Sequence, residues 1–419
     1  MIKKKQFWTT ISTFAAVLTT ATMASPTDDP AVRSRIDRVL ESTPLIDGHN
    51  DLPAELHEKF ASTIWTMDLT GAAGSPITKL QTDIARLRKG RVGAQFWSVW
   101  IPVETTGAEA VKATLEQIDI ARSFSDRYPE TFAMAGSAAD IERIHKERRI
   151  ASLLGIEGGH QIGSSIAALR QFHGLGVRYM TLTHTRNNDL GDSATDNPAH
   201  KGLTPFGRTV ITEMNRLGML VDISHVSPDT MRQAIAHSRA PVIFSHSGAR
   251  ALVEHPRNVP DDVLTLIAEH DGVVMMNFYP GYASNEFNRW NADVAAETAR
   301  FNSPPYDGLY IGQPAQAAEA LALWKQQHPQ PVVTVAQVAD HIDHIVKVAG
   351  IDHVGLGSDF DGIEATPRGL ESVADYPNLF AELIRRGWTD DMLAKLAGQN
   401  VLRVMRKAEA IAASMKQKP

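Results

Sequence analysis

The chain has 419 residues and no cysteine. That absence excludes disulfides, thiolate metal ligands and a thiol nucleophile, so any metal must be held by His, Asp or Glu. Charge of one sign is also scarce. The 42 basic and 48 acidic residues leave a net charge of −6, which offers no basic surface for nucleic acid and no polybasic membrane patch. Long apolar runs are missing after the first residues. There, "MIKKKQ" supplies positive charge, "FWTTISTFAAVLTTATM" a short apolar stretch, and Ala24 and Ser25 a small-residue cleavage region. Residues 1–25 therefore read as an export signal, with the mature chain periplasmic or secreted. A retained anchor is the alternative, although the stretch is short and Thr-rich against the ~20 apolar residues of a span. No later segment is long and apolar enough to span a membrane.

What is present is a rhythm. From about residue 44, β-rich runs alternate with helical patterns, which implies βα units around a parallel sheet. The runs are "PLIDGH", "GAQFWSVWI", "ASLLGIEG", "VRYMTLTH", "MLVDISH", "PVIFSH", "GVVMMNFY" and "HVGLGSDFDG", and these eight would close a (β/α)8 TIM-like barrel of the α/β class. Between them, "SPITKLQTDIARLRKG" reads as one helix ending at Gly90, and Ser227 with Pro228 reads as the start of another. Residues 26–419 are read as a single domain, interrupted at about 281–333 after the seventh run. The aromatic residues of that insertion favour an ordered excursion over the barrel mouth, with a helix at "PAQAAEALALWKQ". A disordered insert is the alternative.

The polar residues fall at the ends of the runs. His49 and Asp51 stand two apart and share a strand face, a pattern that suits two ligands of one metal or a simple turn. Glu157 ends the third run, His184 the fourth, His225 the fifth, His246 the sixth and Asp359 the eighth. Barrel active sites sit at this C-terminal mouth. So many acids and imidazoles converging there would repel and desolvate one another without a cation. Five ligands, His49, Asp51, Glu157, His225 and His246, exceed what one catalytic zinc takes. The set divides into two metal sites, with His49 and Asp51 on one, His225 and His246 on the other, and Glu157 bridging. One metal with outer acids is the alternative. Zn2+ suits the donors, with Mn2+, Co2+ or Fe2+ as substitutes. A metal-bridging hydroxide would attack a carbonyl or phosphoryl centre, Asp359 would shuttle the proton, and His184 would donate to the oxyanion.

Several blocks then show a resemblance. "LIDGHNDLP", "GIEGGHQIGSSIAALRQFHGLGVRYMTLTHTRNN", "VDISHVSPDTM", "APVIFSHSGARAL", "RNVPDD" and "GLGSDFDG" resemble the renal, or membrane, dipeptidase family of binuclear zinc peptidases, from about Pro44 to Met405. The resemblance implies a zinc-dependent dipeptidase acting on small dipeptides, with the same five ligands and Asp359 as acid and base. It implies that His184 contacts substrate, that Arg257 holds the substrate carboxylate and that Tyr282 borders the pocket. It also implies a homodimer. The insertion is longer than in mammalian members and is expected of bacterial ones, and "NNDLGDSATDNPAH" departs from the mammalian pattern. Another amide, a lactone, a β-lactam or a phosphoester remains open as substrate, and a non-catalytic binding protein is the reading of a different class. Among the other histidines, His341 and His344 are expected to face solvent. His57, His145, His173 and His237 are read as surface or packing residues, and His160 as a loop or outer-shell residue.

Overall fold

Parallel strands need helices on their outer face, and the chain supplies them in alternation. The computed structural model describes residues 29–60, 63–302 and 308–416. The leader read in residues 1–25 lies outside the described residues. The strands are β1 (Leu45–Asn50), β2 (Val92–Val99), β3 (Phe132–Met134), β4 (Ile150–Glu157), β5 (Val177–Thr181), β6 (Leu220–Asp222), β7 (Ile243–Phe244), β8 (Val273–Met276) and β9 (Val354–Leu356). All pairings between these strands are parallel. β2 pairs with β4 on one side and β1 on the other, and the order runs on through β9 and β8 back to β4, closing an eight-stranded (β/α)8 barrel. Each of the eight expected runs overlaps one of these barrel strands. β3 was not expected from sequence. Its three residues pair with Ile150–Ser152, the part of β4 that lies below its pairing with β5.

Alternation along the strands sorts side chains into two layers. Ile46, Phe96, Leu153, Tyr179, Leu220, Ile243 and Met275 pack together in one buried cluster. Trp97, Val99, Leu154, Ile156, Val221, Phe244, Val274 and Met276 belong to the other, against the surrounding helices. Glu157 falls on the parity of Leu153, and Asn277, just past β8, falls on the parity of Met275. Among the described residues, no helix is long and apolar enough to cross a membrane.

Two helical expectations change. Residues 76–89 form a 3-10 turn at Pro76–Lys79 and a separate helix at Ile84–Lys89, because Asp83 caps the second by accepting the Arg86 N–H at 2.7 Å. His341 does not face solvent. On the helix Val335–Ala349 it shares the buried stripe of Val338, Ile342 and Ile345, and its Nδ1 accepts the Ala249 N–H at 2.9 Å. His344 is partly exposed and lies 2.8 Å from Asp261. In the insertion, the helix Asn285–Asn302 precedes the helix Pro314–Gln327. The Trp290 indole N–H donates to the His328 carbonyl at 2.8 Å, joining the two ends of this excursion.

Candidate metal centre

The strand ends deliver the polar residues to one place. His49 lies within β1 with Asp51 just beyond it, Glu157 closes β4, and His246 follows β7 by two residues. His225 and Asp359 follow β6 and β9 by three residues, and each has a left-handed backbone, at φ 65° and 69°. Such a conformation is uncommon without glycine and concentrates at functional sites. Glycine is required elsewhere for close approach. A Cβ on Gly362 would lie 2.2 Å from Asp51 Oδ2 and 2.8 Å from Asp359 Oδ1, and one on Gly155 would lie 2.0 Å from the Tyr179 ring.

Glu157 sits at the centre of the cluster. Its Oε1 is 2.9 Å from His225 Nε2, 3.3 Å from His246 Nε2 and 3.6 Å from His184 Nε2. Its Oε2 is 3.4 Å from His49 Nε2, which is itself 3.4 Å from Asp51 and 4.0 Å from Asp359. Three triads have ligand atoms close enough to share an ion: His49, Glu157 and His246; Glu157, His184 and His225; and His49, Asp51 and Asp359.

The donor set fits cations. His225 Nε2 and His246 Nε2 point at each other across 2.9 Å, and the buried His49 Nε2 has no hydrogen-bond partner among the described residues. An orphaned imidazole nitrogen in a buried cluster is costly unless something takes up its lone pair. The far nitrogens explain why the lone pairs face inward. His49 Nδ1 is 2.8 Å from the Tyr179 hydroxyl, which donates to the Gly48 carbonyl at 3.1 Å. His246 Nδ1 is 2.8 Å from Ser245 Oγ, which donates to Asp222 at 2.6 Å. Each hydroxyl spends its proton elsewhere and so accepts from Nδ1–H, leaving Nε2 as the ligand atom. Ser245→Ala is expected to weaken metal binding by roughly 10–100-fold, as for other outer-shell partners. Competition with a chelator would measure this, and unchanged affinity would show that Ser245 does not orient His246.

Burial and crowding set the charge states. Burial, then nearby Arg257, holds His225 well below the usual imidazole pKa. Burial and then His49 do the same to His246, so both rings are neutral. Burial opposes the charged form of His49 as well, but Tyr179, Asp51 and Glu157 prevail and raise it well above the ordinary value. Burial would raise Glu157, yet His49, His184, His225 and His246 bring it well below the carboxylate range. Asp359 is raised well above that range by burial and then by Asp51. A cation between the carboxylates would offset that repulsion.

Asp51, Glu157, His184, His225 and Asp359 line a cavity of ≈ 410 Å³ together with Trp100, Arg257 and Tyr282. That is within the ~300–1,000 Å³ of small-ligand sites. His184 Nδ1 accepts from the Trp100 indole at 3.5 Å, a long bond that leaves a proton on Nε2 facing the cluster. Arg257 is 2% exposed, and among the described residues no carboxylate lies within 4.0 Å of it. Its Nη1 donates to Ser247 Oγ at 3.3 Å and its Nη2 to the His246 carbonyl at 3.1 Å, while Nε has no partner among the described residues. The Tyr282 ring centre lies 5.4 Å from its Cζ.

The divergent segment after His184 braces the site from behind. Ser193 Oγ donates to the His184 carbonyl at 2.6 Å, and the Ala194 N–H to the His225 carbonyl at 2.7 Å. All nine site residues expected from sequence are thus in or beside one cavity. Tyr179, Asp222, Ser245 and Asn277 were missed, because each reads as an ordinary strand residue. Their one signal is polarity on the inward parity or at the end of a buried strand.

A family model described as membrane dipeptidase (peptidase family M19) matches residues 33–419. An uncharacterized dipeptidase of Schizosaccharomyces pombe is 42% identical over 395 residues, covering 91% of this chain and 85% of its own length. A dipeptidase of Aspergillus oryzae is 41% identical over 392 residues, covering 91% and 82% respectively. The crystal structure of a probable dipeptidase from Pseudomonas aeruginosa matches with a TM-score of 0.77 at 26% identity, covering 91% of this chain and 100% of that one.

Proposed function

We infer, because this chain belongs to the membrane dipeptidase family, peptidase family M19, that its metallopeptidase centre holds two zinc ions and cleaves small dipeptides. His49 and Asp51 would hold one ion, His225 and His246 the other, and Glu157 would give one oxygen to each. When bound, the ions supply Lewis acidity, polarising the scissile carbonyl and lowering the pKa of water. Asp359 would take a proton from the attacking water and return it to the departing nitrogen. His184 Nε2–H donates to the carbonyl oxygen as it gains charge. Arg257 and Tyr282 bind the far end of the substrate.

The observation that carries the substrate class is the buried Arg257 guanidinium, beside which no carboxylate of the described residues lies within 4.0 Å. A buried cation of this kind is stabilised when an anion arrives, and a planar fork suits a carboxylate. A dipeptide brings its C-terminal carboxylate within one residue of the bond to be cut. Action outside the cytoplasm is proposed on the leader pattern of residues 1–25 alone.

A panel of L-L and L-D dipeptides on metal-analysed protein tests the reading. Each is paired with its C-terminal amide, which lacks the anion. The wild type should prefer the free acids, and Arg257→Met should erase that preference, a change of about 2–5 kcal/mol for a buried charge contact. A variant that still discriminates acid from amide would remove Arg257 from substrate recognition.

A further inference from the structure

Asn277 is the first residue beyond β8 and is fully buried. A buried amide needs partners for both its ends. Its Oδ1 accepts the Tyr279 backbone N–H at 2.5 Å, which fixes the oxygen end because an N–H can only donate. The Nδ2 end is therefore the donor that meets Asp359 Oδ2 at 2.8 Å. Its main chain is anchored on both sides. The Asn277 N–H donates to the Ser247 carbonyl at 3.3 Å, and the next residue, Phe278, donates to the Ser358 carbonyl at 3.2 Å.

The backbone of Asp359 does not by itself fix its carboxylate. Its N–H donates to the His49 carbonyl at 3.1 Å, which places the Cα but not the carboxylate. The last torsion of an aspartate is broad, so the two oxygens can exchange or tilt unless a neighbour fixes them. Asn277 occupies Oδ2, which leaves Oδ1 turned toward the cluster, 4.0 Å from His49 Nε2.

We propose that Asn277 is a positioning residue for Asp359, its amide holding the carboxylate so that Oδ1 serves the proton transfer. This rests on the reading of Asp359 as the proton shuttle. In that reaction, the water oxygen bonds to the carbonyl carbon and one water proton goes to Asp359. The C–N bond then breaks, the nitrogen keeps the bonding electron pair, and it takes the proton from Asp359 and leaves as a neutral amine. An amide depends on this delivery because an amine anion is too poor a leaving group. A phenolate leaves without a proton.

The test compares two substrates on the zinc-loaded full chain. One is a dipeptide. The other is an aminoacyl ester of hydroxybenzoic acid, which keeps a carboxylate for Arg257 but expels a phenolate. In Asn277→Ser the hydroxyl can still accept the Tyr279 N–H but is too short to reach Asp359. Asn277→Ala provides a second arm if the serine variant does not load zinc. Both are expected to lose kcat on the dipeptide on the order of 10–100-fold, as for a misplaced catalytic group. KM should change little, ester turnover should fall less than dipeptide turnover because a phenolate needs no proton from Asp359, and Asp359→Asn should show the same split more strongly. If the Asn277 variants lower both substrates alike, or neither, while Asp359→Asn splits them, the positioning role is overturned. If Asp359→Asn shows no split, delivery of a proton by Asp359 to the leaving nitrogen fails and the role of Asn277 in it falls too.

Discussion

Exchanging Glu157 for Gln is expected to stop dipeptide hydrolysis almost completely and to lower the metal content below two ions per chain. The loss should exceed the roughly 10–100-fold typical of outer-shell partners, because Glu157 touches both halves of the cluster. Oε1 faces His225 and His246 at 2.9 and 3.3 Å, and Oε2 faces His49 at 3.4 Å. A Gln has nearly the same shape but offers one oxygen and one NH2, and an NH2 cannot ligate a cation. It also removes the charge that burial alone would disfavour and that four histidines hold ionised. Metal per chain and kcat/KM in excess zinc would be measured together, with thermal unfolding as the control for folding. A variant that kept two tightly bound ions and near wild-type turnover would exclude the bridge.

The site was legible in sequence to the extent that barrel geometry makes it so. A strand buried on both faces needs no polar residue, so Glu157 after "ASLLGI" and His49 after "LIDG" were conspicuous, and the barrel mouth explained why they should converge. Residues whose partners come from other strands were not legible. Tyr179 meets His49 across 130 residues of sequence, and Asn277 meets Asp359 across 82. Nothing local distinguishes either from a packing residue. The left-handed turns at His225 and Asp359 were equally hidden, since neither position carries the glycine that would signal positive φ.

The same limit accounts for the errors in the fold. β3 is three residues long and pairs only with the lower part of β4, so its sequence has no run to detect. His341 was assigned to solvent by its polarity, although its spacing from Val338, Ile342 and Ile345 already placed it on the buried stripe. Periodicity was the better guide there, because one backbone N–H, that of Ala249, is enough to satisfy a buried imidazole nitrogen.

Asp359→Asn is the second large effect expected, and it separates two roles that geometry alone leaves adjacent. Asp359 lies with His49 and Asp51 in a group able to share an ion, so it could be a ligand or a proton carrier. Its Oδ1 is farther from His49 Nε2 than Asp51 is, at 4.0 against 3.4 Å, and its Oδ2 is bonded to Asn277. Asp359 also borders the cavity, where a leaving nitrogen would need a proton. The proton-carrier role predicts a fall in kcat of about 10²–10⁴-fold with KM little changed, the usual contribution of general acid–base catalysis. His49, Asp51, Glu157, His225 and His246 are untouched by the exchange, so two ions per chain should remain. Metal lost in step with activity would instead make Asp359 a ligand. Proton delivery would then have to come from another group in the cavity, and His184, with Nε2–H turned toward Glu157, would be the next to test.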